Sequence, residues 1–205
     1  ERQQEALDKV TDGINLITEF TERLHNLSRL QFGEEAELDL ELVDMEELLQ
    51  AAHRARADFA ASKNIDLRLI STPDRLPFVK VDETLVRQSL VNLVDNAIKY
   101  TPEGGWVESR ITMNDDGFLK VSVKDGGVGI RLEDQKRIFE PFYRVPQREG
   151  EPRRPTGTGI GLALIKAVAR AHGGDVGFVS EFGEGSTFWM RIPAHQPGPD
   201  DEDEG

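Results

Sequence analysis

DGGVGI, from Asp125 to Ile130, and GTGIGLALIK, from Gly157 to Lys166, are two glycine-rich stretches of this 205-residue chain. Glycine lets the backbone approach a ligand closely and adopt positive φ, and the N–H groups at the start of a helix favour phosphate. Either stretch alone would be a weak indication. Together, at this interval, the two glycine boxes predict a nucleotide pocket.

Two further motifs accompany the glycine boxes. NLVDNAIKYT, from Asn92 to Thr101, precedes both boxes, and FEPFYR, from Phe139 to Arg144, lies between them. On a helix, Asn92 and Asn96 project from one face, so that both amides address one ligand. As an isolated pair, such asparagines more often face solvent or cap a helix. The accompanying boxes favour a phosphate and metal site instead.

These four blocks, in this order, resemble the asparagine box, the two glycine boxes and the phenylalanine box of bacterial sensor histidine kinases. The resemblance covers most of the chain, from Leu38 to Pro193, and it is to the catalytic ATP-binding domain of those kinases. AHGGDVGFVSEFGEGSTFWMRIP, from Ala171 to Pro193, is similar to the two closing strands of that domain. The resemblance implies a Bergerat-type fold in the GHKL superfamily.

Hydrophobic periodicity predicts the same α+β class, a two-layer sandwich with a long helix at the N-terminus. We predict strands at residues 37–43, 65–70 and 78–81, and a hairpin that turns at NDDG, from Asn114 to Gly117. Two more strands close the sheet. The predicted helices cover residues 1–32, 44–63, 82–100, 132–139 and 158–172, with Asp44 and Asp82 at two of the starts.

The chain divides into three predicted regions. Residues 1–33 resemble the second helix of a dimerisation and phosphoacceptor hairpin, residues 34–193 the catalytic domain, and residues 194–205 read as an acidic disordered tail. The first helix carries a heptad-like apolar seam with one extra step of three, which predicts a helical partner. The alternative is a helix packed on its own domain. The seam positions are Leu7, Val10, Ile14, Ile17, Phe20, Leu24 and Leu27.

The resemblance also implies roles for individual residues around ATP and Mg²⁺. Asn96 would give its carbonyl oxygen to the metal, with Asn92 near the phosphates. Lys99 would reach phosphate and Tyr100 would flank the nucleotide. The Asp125 carboxylate would accept a hydrogen bond from the exocyclic amine of adenine. The remaining predicted nucleotide contacts are Gly127, Gly129, Ile130, Gly157, Thr158, Gly159, Gly161, Leu162 and Thr187.

Some of these assignments have an ordinary structural alternative. The alternative for Lys99 is a surface lysine near a helix end. Thr187, predicted to reach adenine through water, would serve equally as a strand residue. The loop of residues 140–156 would act as the ATP lid, and its Arg144 resembles the arginine that contacts phosphate during transfer. Gly126 stands where many relatives carry asparagine, which puts one polar contact in doubt. The second glycine box fits half of a dinucleotide fingerprint, but it lacks the following ribose-binding acid, and we reject a Rossmann fold.

Composition limits the classes of partner. The formal charge of −13 argues against non-specific nucleic-acid binding, although residues 136–154 hold six basic against three acidic side chains, a local preference for anions. There is no cysteine, which excludes disulfides and thiolate metal sites. No apolar run is long enough for a membrane span. We expect a cytoplasmic location, and anchoring of a longer parent protein in the inner membrane stays open.

The predicted function is protein histidine kinase activity: transfer of the γ-phosphoryl group of ATP to a histidine, for relay to a response-regulator receiver domain. None of His25, His53, His172 and His195 has the setting of an acceptor. This chain should therefore bind ATP without autophosphorylation. The expected partners are an acceptor hairpin of the same or another kinase chain and, in the parent, a second copy in a homodimer. The alternatives are an ATPase clamp of the same superfamily and a nucleotide-free scaffold.

Overall fold

The computed structural model describes residues 2–32, 37–70, 76–149, 155 and 157–195. Gly33, predicted to stop the first helix, lies outside the described residues, as do Pro152 of the lid and residues 196–205 of the predicted tail. The elements in chain order are α1 (Arg2–Phe32), β1 (Leu40–Val43), α2 (Met45–Ser62), β2 (Asp66–Ile70), β3 (Val79–Asp82), α3 (Glu83–Tyr100), β4 (Trp106–Met113), β5 (Phe118–Asp125), α4 (Leu132–Gln135), α5 (Gly161–Ala171), β6 (Asp175–Glu181) and β7 (Gly185–Pro193).

A five-stranded mixed sheet, in the order β2-β4-β5-β7-β6, forms one layer. β2 runs parallel to β4, and the other neighbours are antiparallel. The predicted hairpin joins β4 to β5, and its turn closes with a 3.1 Å hydrogen bond from Gly117 N to Asn114 O. Asp125, the last residue of β5, pairs with Ser186 near the start of β7. The first glycine box therefore leaves the sheet directly beside β7.

Helices α2, α3 and α5 form the second layer. Alternate side chains of the central strands are buried beneath these helices, as the period of a strand requires. Together with apolar residues of the helices they form one core; its strand members include Val107, Ile111, Leu119, Val121, Val123, Met190 and Ile192. The predicted two-layer α+β sandwich is confirmed.

Local side-chain chemistry sets the helix starts as predicted. The Asp44 carboxylate accepts a hydrogen bond from Glu46 N (2.8 Å), and that of Asp82 accepts one from Leu85 N (3.0 Å). Each acceptor satisfies an N–H group that has no partner within the first turn. At the other end of α5, Gly173 adopts a φ of +72° and ends the helix.

Three elements are shorter than predicted. β1 begins at Leu40 rather than residue 37, because β3, the strand with which it pairs, offers four residues. α4 ends at Gln135, since the following hydrogen bonds, such as Arg137 N to Asp134 O, span three residues and form turns. α5 begins at Gly161 instead of residue 158, because Gly159 has a φ of +74°, which no helix accepts.

The N-terminal helix α1 packs on its own domain over only part of its length. Its C-terminal part packs on the domain: Leu27 is 3% exposed and belongs to the core, and α1 contacts α5. Further up the helix, Ile14 and Ile17 are 59% and 66% exposed. The seam thus serves the domain's own core at one end, and a helical partner for the other end stays a prediction. In the described part of the chain, no helix combines the length and apolar character of a membrane span.

Candidate nucleotide-binding site

One pocket lies where the end of α3, both glycine boxes, the lid loop and β7 meet. It collects residues that are far apart in the sequence, including most of the predicted site. The predicted residues that line it are Asn96, Lys99, Tyr100, Asp125, Gly129, Ile130, Arg144, Gly157, Thr158, Gly159, Gly161 and Leu162.

The Asp125 carboxyl lies at the wall of this pocket with an exposed fraction of only 4%. Its Oδ1 accepts hydrogen bonds from Gly127 N (2.9 Å) and Ser186 N (3.2 Å). Among the described residues, no donor contacts Oδ2. Burial raises the pKa of this carboxyl to about 6, against the opposite effect of the two backbone hydrogen bonds. Oδ1 is thus held by two backbone N–H groups. Oδ2 is available to a ligand, and it lies in a buried position with little solvent.

The backbone of the first glycine box fits tightly against neighbouring chain segments. Val128 N donates to Tyr100 O (3.2 Å), which ties the box to the end of α3. A Cβ at Gly129, where φ is +62°, would lie 1.9 Å from Glu181 O. Only glycine fits this approach. The first glycine box therefore fixes the position of Asp125 relative to Tyr100, the last residue of α3.

Charged residues of α3 line another part of the pocket. Asp95, 8% exposed, forms ion pairs with Lys99 Nζ (2.6 Å, from Oδ2) and with Arg56 Nε (3.1 Å, from Oδ1). Because both carboxylate oxygens are engaged by cations, Asp95 orients Lys99 rather than offering a free anion. Lys99 keeps a partly exposed ammonium at the pocket, where a phosphate group would attract it.

The second glycine box joins the lid at its base. Phe142 N donates to Gly159 O (3.0 Å), and a Cβ on Gly159 would lie 2.8 Å from the Phe142 carbonyl carbon. Phe142 itself has a φ of +63°, an uncommon conformation for a non-glycine residue. Beyond the box, α5 begins without a side-chain cap. Its first N–H groups are therefore available to an anion.

The lid is held from its outer side by α4. Tyr143 Oη donates to Asp134 Oδ1 (2.8 Å), and Arg148 Nη1 donates to the other oxygen of the same carboxylate (2.9 Å). Arg144 is exposed and donates to Pro155 O (2.9 Å) within the lid. Arg144, the predicted lid arginine, thus lines the pocket from a segment between Tyr143 and Arg148, which are both bound to Asp134 of α4.

Three predicted residues do not line the pocket. Gly127 lies behind it and donates its N–H to Asp125. Asn92 lines an adjacent cavity between α1 and α3. Thr187 pairs with Lys124, one position off the pocket face of β7, and the pocket is lined instead by Ser186 and Phe188. Successive strand residues face opposite sides, and the register with Asp125 selects Ser186.

Other pocket residues were missed by sequence reasoning. Apolar residues of three loops and the charged residues Arg23 and Asp95 also line it; the apolar or aromatic ones are Val128, Ile138, Tyr143 and Val145. Asp95 lies inside the asparagine box, which is the signal that could have identified it, but nothing near Arg23 in sequence marks a nucleotide contact.

Two of the four histidines, His172 and His53, form side-chain contacts within the fold. His172 is 9% exposed; its Nε2 accepts from Asp82 N (2.9 Å), so that its Nδ1 carries the proton toward Val168 O (2.7 Å). His53 is half-buried, its Nε2 lies 2.8 Å from Ser109 Oγ, and burial lowers its pKa. His25 lines the cavity beside Asn92.

The pocket suits Mg²⁺ held together with a nucleotide rather than by protein alone. No group of three or more His, Cys, Asp or Glu side chains that would hold a metal occurs among the described residues. Asn96 supplies an amide oxygen, and both oxygens of neighbouring Asp95 are already paired. Mg²⁺ commonly keeps waters and phosphate oxygens besides one or two protein ligands. A single amide oxygen from Asn96 is compatible with this ligand preference of Mg²⁺.

Residues 81–196 match the profile of the histidine kinase-, DNA gyrase B- and HSP90-like ATPases. This match covers more than half of the chain. The chain belongs to this family. Among curated relatives of this ATPase domain, the sensor histidine kinase WalK of Bacillus subtilis is 41% identical over 133 residues, which are 64% of this chain and 21% of that protein. The sensor-like histidine kinase SenX3 of Mycolicibacterium smegmatis is 35% identical over 94% of this chain and 48% of its own length.

Solved structures give the same result for the ATPase domain. Full-length ShkA in complex with AMPPNP superposes with a TM-score of 0.81 at 30% identity, over 97% of this chain and 40% of that one. Histidine kinase ThkA in complex with the response regulator TrrA gives a TM-score of 0.64 at 26% identity, over 91% and 52%. The domain is a histidine kinase catalytic ATP-binding domain, and the chain spans about half or less of these relatives.

Proposed function

We propose that this domain binds Mg-ATP in the pocket and transfers the γ-phosphoryl group to a histidine of an acceptor hairpin, from which a response-regulator aspartate receives it. The buried Asp125 carboxylate carries this proposal. A donor group on a flat base would satisfy its Oδ2, while Oδ1 stays bound to Gly127 N and Ser186 N. The exocyclic amine of adenine is such a donor, and the carbonyl of guanine at that position would be repelled.

The direction of the nucleotide follows from α3. Tyr100, at the end of this helix, is bonded to the glycine box beside Asp125, which marks the adenine end. Asn96 lies one turn back along α3 and Asn92 two turns back, so that the phosphates would run along the helix. On the facing wall is the uncapped start of α5, where a Cβ at Gly161 would come within 3.9 Å of Asn96 Nδ2. Helix N-terminal amides and Lys99 would thus flank the phosphates.

Asn96 would hold Mg²⁺ with phosphate oxygens and waters, and the bound ion would offset charge on the triphosphate. The chain's own groups have separate tasks. Lys99 and Arg144 would bind phosphate oxygens, and Phe188 with Tyr100 and Ile138 would exclude water from the base. An imidazole nitrogen of the acceptor would form the new N–P bond while the bond from the γ-phosphorus to the bridging oxygen breaks, and that oxygen keeps the electron pair in ADP.

Two partners follow from this proposal. The acceptor histidine would come from a hairpin of which α1 is the second helix, in the same or another chain, with residues 34–193 as the catalytic domain. A homodimer of the parent protein would bring such hairpins together. A response regulator would then take the phosphoryl group, which agrees with the complex of the similar kinase ThkA with TrrA. Because the formal charge is −13, nucleic acid is not a proposed partner.

Calorimetric titration tests the binding part of the proposal. We expect ATP to bind the wild type, more tightly with Mg²⁺ than without it. Asp125→Asn should weaken binding at least about tenfold, because the amide replaces the acceptor that adenine requires. Asn96→Ala should remove the effect of Mg²⁺ while adenosine binding stays. Absence of binding to the wild type would contradict the proposal and leave the scaffold alternative.

The transfer part needs a separate assay. The chain alone, incubated with γ-labelled ATP, should form no acid-labile phosphohistidine. Addition of a complete acceptor hairpin from the parent protein should yield that product. Steady ATP hydrolysis without any protein phosphorylation would favour the ATPase clamp instead.

A further inference from the structure

A second cavity adjoins the phosphate end of the nucleotide pocket. It lies between α1 and α3, with one contribution from α2, and it contains the buried side chain of Asn92. Its walls carry an excess of cationic side chains. The lining residues that bear charge are Glu22, Arg23, Arg56 and Arg87, with His25 also present.

Arg23 lines both this cavity and the nucleotide pocket. It belongs to α1, outside the segment that matches the ATPase family profile, which begins at residue 81. Close by, Arg56 and Lys99 both pair with Asp95. Arg23 therefore shares a cavity with Asn92, which lies two turns along α3 from Tyr100.

The charges at this end are unbalanced for a triphosphate. Lys99 shares its charge with Asp95, whose carboxylate also lines the pocket, and Arg144 is exposed on the lid. Even with Mg²⁺ bound, the end of the triphosphate would carry negative charge that a further cation would bind. An arginine offers a permanent charge and several N–H donors in a plane, which suits the oxygens of a terminal phosphate.

Asn92 gives an independent indication that a ligand reaches this place. Its side chain is 2% exposed, and its Nδ2 has no hydrogen-bond partner among the described residues. A buried amide without an acceptor is costly, so that such groups are commonly satisfied in the native complex. Asn92 shares the cavity with Arg23. A phosphate oxygen is the acceptor that both side chains would share.

We propose that Arg23 binds the γ-phosphoryl group of ATP, so that the N-terminal helix completes a phosphate site which the catalytic domain alone leaves short of positive charge. This inference rests on the proposed function. It assigns to α1 a direct part in nucleotide binding, next to its predicted part in the hairpin. It also makes the site selective for ATP over ADP, since only the third phosphate reaches Arg23.

The test compares ATP, ADP and adenosine binding to three variants of the full chain by calorimetry with Mg²⁺. Arg23→Gln should raise the Kd for ATP about tenfold and that for ADP by less than about twofold, with adenosine unchanged. Arg23→Lys, which keeps the charge, should recover part of the preference for ATP. Arg29→Gln, an exposed position of the same helix, should behave as the wild type.

The ratio of the Kd values for ADP and ATP decides the outcome, because a merely structural role would weaken both nucleotides alike. An unchanged ratio in Arg23→Gln, with ATP still bound by the wild type and lost in Asp125→Asn, would overturn the role of Arg23 and leave the proposed function standing. If circular dichroism shows that Arg23→Gln is unfolded, the ratio in Arg23→Lys decides: a decrease supports the proposal, and the wild-type value overturns it.

Discussion

The Asp125 carboxyl, proposed to bind adenine, lowers the free energy of unfolding at neutral pH because it is buried without a donor, among the described residues, for one of its oxygens. It is 4% exposed, and burial raises its pKa to about 6. In the unfolded chain an aspartic acid titrates near pH 3.9. Between these values the native state therefore holds a proton that the unfolded state has already lost. At neutral pH the ionised carboxylate remains buried, ready for a donor that only a ligand supplies.

The free energy of unfolding should record this cost. Because the native pKa lies above the unfolded one, the stabilisation is fully present below about pH 4 and is lost as the pH rises through 6. Relative to Asp125→Asn, wild-type stability should fall by about 3 kcal/mol over that range and then stay level. Asparagine keeps an oxygen for Gly127 N and Ser186 N. Urea unfolding of both proteins at several pH values is the measurement, and a pH-independent difference would contradict the expectation.

The family resemblance implies an asparagine at the position of Gly126, and the structure leaves little space there for a side chain. A Cβ at this position would lie 2.7 Å from Trp106 Nε1. The indole ring of Trp106 occupies the space that a side chain would need, and Lys124 Nζ lies 5.5 Å from the centroid of this ring. Position 126 therefore contacts an aromatic ring in this chain.

At the scale of elements, α3 carries the asparagine box, and its C-terminal end is fixed by a lysine from α2's end. Lys63 Nζ donates to Ile98 O (2.7 Å), Lys99 O (3.2 Å) and Thr101 O (2.7 Å). A cation at this place satisfies carbonyls that lack partners in the helix and suits the helix dipole. The position of Tyr100 relative to the glycine box therefore depends on Lys63.

Replacement of Lys63 by methionine should destabilise the protein by about 1–3 kcal/mol, since three carbonyl groups lose a charged donor. ATP binding should weaken as well, because Lys99 and Tyr100 belong to the affected turn. Lys80→Met, at an exposed position of β3, is the control and should change stability by no more than about 0.5 kcal/mol. Urea unfolding and calorimetry measure the two effects. Equal stability of the two variants would show that the cap does not matter.

At the scale of the whole molecule, α1 joins the catalytic layers to a surface that faces outward. Leu27 belongs to the core, whereas Ile14 and Ile17 are more than half exposed. Apolar residues that lie three apart on one helix favour a second helix as a neighbour. The C-terminal part of α1 thus packs in the core of the domain, and its exposed apolar residues are available to the predicted partner helix.

Ile17→Glu should therefore reduce self-association, because a charge would be placed in the predicted helical interface. Thr18→Glu adds the same charge at the adjacent exposed position and should leave association unchanged. Sedimentation velocity over a range of concentrations measures the effect, and ATP titration verifies that the site remains intact. Equal association of the Ile17→Glu and Thr18→Glu variants would contradict the predicted interface.

The sequence alone determined the order of the elements and the kind of site, because both depend on short-range chemistry. Caps such as Asp44 and Asp82 act within three residues, and turn glycines such as Gly117 act within four. The glycine boxes likewise predict a binding site through local backbone freedom, and the asparagine box does so through helical spacing. The sequence placed some element ends wrongly, since pairing with β3 decides where β1 begins and the backbone conformation of Gly159 decides where α5 begins.

Only the tertiary structure decided which side chains face the nucleotide pocket. The pairing of Asp125 with Ser186 selects Ser186 over Thr187, and a register between distant strands is not written in either strand. The contact of α1 with α5 brings Arg23 to a pocket formed by residues far along the chain. Burial of Asp125, which sets its pKa, depends on atoms from several elements at once. These properties arise from packing across the whole fold, and no short window of sequence contains them.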